Sequence, residues 1–279
     1  MTKPQRASCV IGYPAKHSRS PKLHGYWIKR YGIDGDYRIE EIRPEDFTAF
    51  VTNLAANGYV GANVTMPHKE MALALSEPDA RAKAVGAANT LWLDQGKLRS
   101  TNTDVEGFIG ALDAAAPGWD KRNDTAVVLG AGGAGAAVVY GFIERGIKTI
   151  HLVNRTYEKA VAMRERFGAS VHPARWSDVP RLLGGLGLLA NTTSLGMKGK
   201  DPMVIDLAPM APGAVVADVI YVPLKTPLLA AAEQCGFKTS NGLDMLMHQA
   251  VRGFELWFGV RPEVTKELSD MLVADVLKS

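Results

Sequence analysis

The sequence predicts an α/β protein of two domains. The first is an α/β domain with a mostly parallel sheet, and the second is Rossmann-type. Three observations predict this. Short strand signals alternate with helical ones through the first part of the chain, the pattern of an open parallel sheet. The run Gly130-Ala131-Gly132-Gly133-Ala134-Gly135 follows the apolar run Thr125-Ala126-Val127-Val128-Leu129 and opens a helix. That is strand, glycine-rich turn and helix within one βαβ unit of about 30 residues. Two helical segments beyond Asn241-Gly242 then extend past the mononucleotide-binding pattern. The domains are expected at 1–104 plus 243–279, and at 105–242.

The elements follow in order. Ala7–Gly12 is apolar and β-like. Ser20-Pro21 reads as a cap followed by proline at the first helical position, opening a helix to about Tyr31. Gly35–Ile42 is β-like and Pro44–Asn57 helical. Gly61–Thr65 is a short strand stopped by Pro67. Helical segments follow at His68–Leu75 and Asp79–Val85. Ala88–Leu93 and Lys97–Ser100 flank the turn Asp94-Gln95-Gly96, a hairpin. Thr103–Ala115 is a helix ended by Pro117-Gly118. After Thr125–Leu129 and Thr149–Val153 comes the helix Tyr157–Phe167, capped by Thr156 and stopped by Gly168. Later strands are expected at Leu186–Ala190 and Ala214–Val219, and helices at Thr226–Cys235, Leu243–Phe258 and Pro262–Leu277.

The glycine-rich turn is built to cradle a pyrophosphate. Gly130 allows the tight turn, Gly132 lets the backbone approach the phosphates, and Gly135 lets helix and strand pack. The helix N-terminus adds N–H groups and the positive end of its dipole. The strand Thr149–Val153 tells which dinucleotide. An NAD site usually ends that strand in Asp or Glu, but here Asn154 and Arg155 follow. A guanidinium suits a dianionic 2′-phosphate that a carboxylate would repel. The reading is NADP(H), with Thr156 and Lys159 as neighbours of Arg155.

Composition narrows the rest. Across 279 residues, hydrophobic content is 47% and charged content 22%, enough for a sizeable core. The net charge of +3 comes without a dense Lys/Arg run. That argues against a nucleic-acid or membrane-surface protein and fits small anionic ligands. Cys9 and Cys235 are too few for a disulfide framework or metal site and read as buried small apolar residues. His17, His24, His68, His151, His172 and His248 have no metal-ligand spacing, and no metal is assigned. His68 reads as a surface residue, and the five tryptophans as core or boundary. The N-terminal residues have no signal-peptide core, and no apolar run reaches the ~18–20 residues of a membrane span. A cytoplasmic monomer or homodimer acting on a small molecule is expected.

Polar clusters lie in the first part and near the end. Ser18 and Ser20 flank Arg19, and two hydroxyls at a helix start can donate to a carboxylate. Asn63 and Thr65 share one strand face because side chains alternate. Lys69 sits at a helix N-terminus, the unfavourable end for a cation. Asn89 lies in an apolar strand, where an unpaired amide costs free energy. Asp104 opens a helix whose dipole it complements, and Gln249 follows His248 on an apolar helix.

These stretches resemble the shikimate dehydrogenase family over essentially the whole chain. The matching runs are Ser18-Arg19-Ser20-Pro21, Asn63-Val64-Thr65-Met66-Pro67-His68-Lys69, Gly86-Ala87-Ala88-Asn89-Thr90, Asn102-Thr103-Asp104, Gly130–Gly135, Asn154-Arg155-Thr156, Asn191–Met197 and Gly242–Gln249. The resemblance implies a first domain that holds shikimate, a second that holds NADP(H), and an active site between them. It implies that Ser18, Ser20 and Tyr221 bind the shikimate carboxylate. Asn63, Thr65, Lys69, Asn89, Asp104 and Gln249 would meet the ring hydroxyls, with Lys69 and Asp104 as the catalytic pair. Thr192 and Gly242 join the glycine-rich turn as cofactor-binding residues. The implied reaction is the reversible NADP-dependent reduction of 3-dehydroshikimate to shikimate, on the way to chorismate and the aromatic amino acids. A broader quinate/shikimate dehydrogenase is the alternative, and a non-catalytic NADP-binding regulator a more distant one.

Overall fold

The computed structural model describes residues 6–278. The N-terminal residues before Arg6, read above as lacking a signal-peptide core, lie outside the described residues. The chain forms two compact units, Met1–Thr103 with Gln249–Leu272, and Asp104–His248 with Val273–Ser279.

The first unit runs β1 (Arg6–Gly12), α1 (Ser20–Arg30), β2 (Gly35–Glu41), α2 (Phe47–Thr52), β3 (Tyr59–Val64), α3 (Lys69–Ala74), β4 (Glu77–Pro78), α4 (Ala80–Val85), β5 (Thr90–Asp94) and β6 (Lys97–Thr101). Its sheet has the order β2-β1-β3-β5-β6-β4. β1 is parallel to β2 and β3, and β4 to β6, whereas β5 is antiparallel to β3 and β6. The β5–β6 hairpin turns through Gln95 (φ 50°) and Gly96 (φ 78°), the two positive φ angles that a type I′ turn demands.

The pleat divides this sheet into two faces. Ala7, Cys9, Ile11, Ala62, Val64 and Leu91 pack with Phe47, Val51 and Leu54 of the α2 region and with Ala72 and Ala82. The other face carries Tyr37, Asn63 and Thr90, since Ser8 aligns with Tyr37, Val10 with Asn63, and Asn63 with Thr90. α1 covers that face with the buried Leu23, His24 and Trp27.

Several expectations are corrected here. α2 has 6 residues, not the span Pro44–Asn57. Thr52 Oγ1 and Asn53 Nδ2 bond back to the carbonyls of Thr48 and Ala49, and Gly58 (φ 85°) turns the chain into β3. Ser20 is not the cap of α1 but its first residue. The cap position is Arg19, and Ser18 Oγ accepts the Ser20 N–H at 3.3 Å.

The second unit runs α5 (Asp104–Ala115), α6 (Trp119–Arg122), β7 (Thr125–Leu129), α7 (Gly133–Glu144), β8 (Thr149–Val153), α8 (Tyr157–Phe167), β9 (Val171–Ala174), α9 (Val179–Leu182), β10 (Leu188–Asn191), β11 (Val215–Asp218), α10 (Pro227–Gln234) and β12 (Lys238–Ser240). All its strand pairs are parallel, in the order β12-β11-β10-β7-β8-β9. This is the doubly wound dinucleotide-binding order. Ala126, Val127, Val128 and Leu129 are all buried, as a central parallel strand covered on both faces requires. β9 and β12 have no clear sequence signal. Both are short edge strands, and β9 contains Pro173, which an edge tolerates.

Two helices close the chain, α11 (Gly242–Phe258) and α12 (Lys266–Val276). α12 begins after Pro262 because Thr265 Oγ1 accepts the Leu268 N–H. α11 carries Phe254 and Trp257 into the aromatic layer with His24 and Trp27. Trp257 Nε1 donates to Leu91 O at 2.8 Å, where Gly61 has no Cβ to block it. Cys9 is buried but Cys235 is exposed at the end of α10, and Trp176 is exposed too. Among the described residues no helix is long and apolar enough to cross a membrane.

Candidate functional site

In the first unit, one buried polar network gathers three of the candidates. Tyr37 Oη donates to Asn63 Oδ1 at 2.7 Å, and Asn63 Nδ2 donates to Thr90 Oγ1 at 3.2 Å. Thr90 Oγ1 donates to Asn89 Oδ1 at 3.1 Å, which also receives the Thr103 N–H at 2.7 Å. Thr103 Oγ1 reaches Gln249 Oε1 at 3.3 Å. The amide that sequence reasoning found costly in an apolar strand is thus fully engaged at its oxygen.

The remaining candidates of this unit lie at the end of β3 and at the starts of α3 and α1. Thr65, half-buried, follows β3 on the Asn63 face, and its N–H donates to Ile11 O. Lys69 is the half-buried first residue of α3, and its carbonyl accepts the Ala88 N–H, one residue from Asn89. Ser18 is half-buried and Ser20 buried. Glu41, which the sequence did not flag, fixes the loop before them. Its Oε1 accepts the N–H groups of Ala15 at 2.9 Å and Lys16 at 3.2 Å, and the Ala15 bond holds its carboxyl below the usual range. His68 corrects its surface reading. It is buried, stacked on Phe47 at 4.3 Å, and its Nε2 meets Ile42 O at 2.7 Å.

In the second unit, the glycine-rich turn has the expected shape. Gly130 has φ 107°, and a Cβ on Gly135 would stand 2.2 Å from Gly130 O. Gly132 and Gly133 have open space where a Cβ would point, leaving room for a pyrophosphate against the α7 N-terminus. Thr192 Oγ1 donates to Leu129 O at 2.8 Å and Gly130 O at 3.0 Å. Asn154 Oδ1 accepts the Ala131 N–H at 3.0 Å, and its Nδ2 donates to Thr156 O at 2.8 Å. Asn154 therefore ties the turn to the loop carrying Arg155. Thr156 occupies the α8 cap position, but its hydroxyl makes no capping bond, contrary to expectation. Arg155 and Lys159 are exposed. Gly242 packs against the backbone, where a Cβ would stand 2.1 Å from Val219 O.

A second buried network escaped sequence reasoning. Asn191 Oδ1 accepts from Thr193 N and Oγ1, and Asn191 Nδ2 donates to Asp218 Oδ1 at 3.1 Å. Asp218 also accepts the Ile220 N–H and, at 2.7 Å, the Thr226 hydroxyl. Burial pushes the Asp218 carboxyl up to about 6 against those donors. These bonds fasten the loops after β10 and β11, the second of which carries the half-buried Tyr221. Asp104 is the half-buried first residue of α5. Among the described residues no group of three or more His, Cys, Asp or Glu is placed to hold a metal ion.

Known proteins match this arrangement along the chain. Residues 10–91 match the shikimate dehydrogenase substrate-binding domain, residues 114–194 the shikimate/quinate 5-dehydrogenase family, and residues 242–266 the shikimate 5′-dehydrogenase C-terminal domain. The shikimate dehydrogenase (NADP(+)) of Rhodopseudomonas palustris is 60% identical over 276 residues, 99% of each chain. That of Nitrobacter winogradskyi is 61% identical over 272 residues, covering 98% of this chain and 97% of its own. The Thermus thermophilus shikimate 5-dehydrogenase, solved with NADP(H) and shikimate, superposes with a TM-score of 0.82 at 30% identity, covering 97% of this chain and 99% of its own. The Corynebacterium glutamicum quinate dehydrogenase with NAD gives 0.87 at 27%, covering 96% and 99%. Likeness at this level over nearly every residue, together with a doubly wound sheet and its glycine-rich turn, leaves one conclusion: the chain belongs to the shikimate dehydrogenase family.

Proposed function

We propose that Lys69 is the proton carrier, and Asp104 its partner, in the reversible NADP-dependent reduction of 3-dehydroshikimate to shikimate. The observation that carries this reading is the buried network of Asn63, Asn89 and Gln249 beside the Lys69 segment, in a chain whose second unit has a pyrophosphate cradle. NADPH, when bound, supplies the hydride. Gly130–Gly135 would hold its pyrophosphate, with Thr192 fixing the turn and Gly242 as a further cofactor contact. Arg155, Thr156 and Lys159 would hold the 2′-phosphate, a role that suits exposed cations beside an uncapped hydroxyl.

The chain's own chemistry is one proton transfer plus orientation. The ammonium of Lys69 would give a proton to the ketone oxygen, and the neutral amine would regain one from water. Asp104 would accept from the hydroxyl so formed. The hydroxyls of Ser18, Ser20 and Tyr221 donate to the substrate carboxylate, and Asn63, Thr65, Asn89 and Gln249 orient the ring hydroxyls. The same reading makes this a cytoplasmic enzyme, monomeric or homodimeric.

The test is formation of the reduced nicotinamide, followed by absorbance, with shikimate or quinate and with NADP⁺ or NAD⁺. Turnover chiefly with shikimate and NADP⁺ is expected. Equal or faster turnover of quinate, or equal use of NAD⁺, would overturn the substrate or cofactor part of the reading.

A further inference from the structure

We infer that Tyr37 is a positioning residue for the substrate, acting through Asn63: its hydroxyl locks the Asn63 amide so that the NH₂ group faces the ligand side. This rests on the reading of Asn63 as a ring-hydroxyl contact.

The lock has two ends. Asn63 Nδ2 faces the Asn89 carbonyl at 3.4 Å and Thr90 Oγ1 at 3.2 Å. A flipped amide would set its own oxygen against the Asn89 carbonyl, two acceptors with no proton between them. The oxygen must therefore point the other way, where Tyr37 Oη donates at 2.7 Å. The donors then run in one direction, from Tyr37 to Asn63, Thr90 and Asn89. Both asparagines end with their oxygens occupied, so it is the donor side of the Asn63 amide that a ligand would meet. The two bonds from Asn63 Nδ2 are long, so a ring oxygen can compete for its protons.

Tyr37 is itself held in place. It is 6% exposed, and the His24 ring stacks on it at 4.1 Å and 9°. His24 is fully buried, and its imidazole also borders the Asn63 side chain. Burial pulls its imidazole down to about 3, so it stays neutral and serves as a flat platform. Trp257 tilts against the other partners of this layer, 6.0 Å from Tyr37.

The experiment compares Tyr37→Phe, Thr90→Val, Asn63→Ala and the Tyr37→Phe/Asn63→Ala double variant. Tyr37→Phe strands a buried acceptor, a loss that corresponds to a rise of about tenfold in KM for shikimate. KM for NADP⁺ is expected to stay unchanged and kcat to hold within about threefold. Thr90→Val, which removes the partner on the other side of the same amide, should repeat that pattern. In the Asn63→Ala background, Tyr37→Phe should add less than about twofold. An unchanged shikimate KM in Tyr37→Phe, effects that multiply in the double variant, or a parallel rise in KM for NADP⁺ would overturn the inference. Should Tyr37→Phe fail to fold, an unchanged KM in Thr90→Val does the same. Absence of shikimate turnover by the unaltered enzyme would instead sink the functional reading.

Discussion

Lys69 and Arg155 carry the sharpest expectations because each is a cation whose position is otherwise hard to explain. Lys69 stands at the first residue of a helix, where the dipole disfavours it. If it moves the proton, Lys69→Ala should lower kcat by at least about 100-fold, with a smaller change in KM. A kcat within about threefold of the unaltered enzyme would remove it from that role. Arg155 is exposed beside the glycine-rich turn. Arg155→Ala should raise KM for NADP⁺ by about ten- to a hundredfold, the loss of a charge-assisted contact, and leave KM for NAD⁺ nearly unchanged. Equal shifts with both cofactors would mean that Arg155 does not meet the 2′-phosphate. At this scale the sequence pointed to side chains by their incongruity: an amide in an apolar strand, a cation at a helix start. It could not point to Tyr37, His24 or Asp218, which look like ordinary strand and helix residues until their neighbours are known.

Among the elements, the β7–turn–α7 unit is the most legible and the least tolerant. Its strand, turn and helix are adjacent in sequence, so local pattern suffices to read it. Helix and turn meet so closely that a methyl group on Gly135 would stand 2.2 Å from Gly130 O, a backbone atom that cannot swing aside. Gly135→Ala is expected to abolish NADP⁺ binding in a fluorescence titration and to lower Tm; binding within about threefold of the unaltered protein would show that the close packing is dispensable. The hairpin β5–β6 was legible for the same reason, since Gln95-Gly96 lies directly between its strands. Helix α2 is shorter than its sequence pattern predicts, because the apolar periodicity continues past the point where Thr52 and Asn53 turn on the backbone. The edge strands β9 and β12 leave no sequence signal because an edge needs neither length nor a continuous apolar run.

For the whole molecule, the buried Asp218 links stability to pH. Its folded-state value of about 6 lies above the ordinary 3.8, so the folded protein holds this proton more tightly than the unfolded chain. Its contribution is full below pH 3.8 and declines as pH rises through about 6. The Tm of the unaltered protein minus that of Asp218→Asn should therefore fall across this window. A flat difference would mean that the Asn191, Ile220 and Thr226 donors keep the carboxylate ionised throughout. The sequence alone determined the α/β class, the dinucleotide turn and the strand face shared by Asn63 and Thr65. Each of these depends on residues close in the chain, where periodicity and turn chemistry act. Tertiary structure alone decided which strands are neighbours, and hence which polar groups meet. Tyr37 joins Asn63 across 26 residues, Asn191 joins Asp218 across 27, and Thr103 joins Gln249 across 146. A buried polar group must find its partner wherever the fold brings one, and no local pattern carries that information.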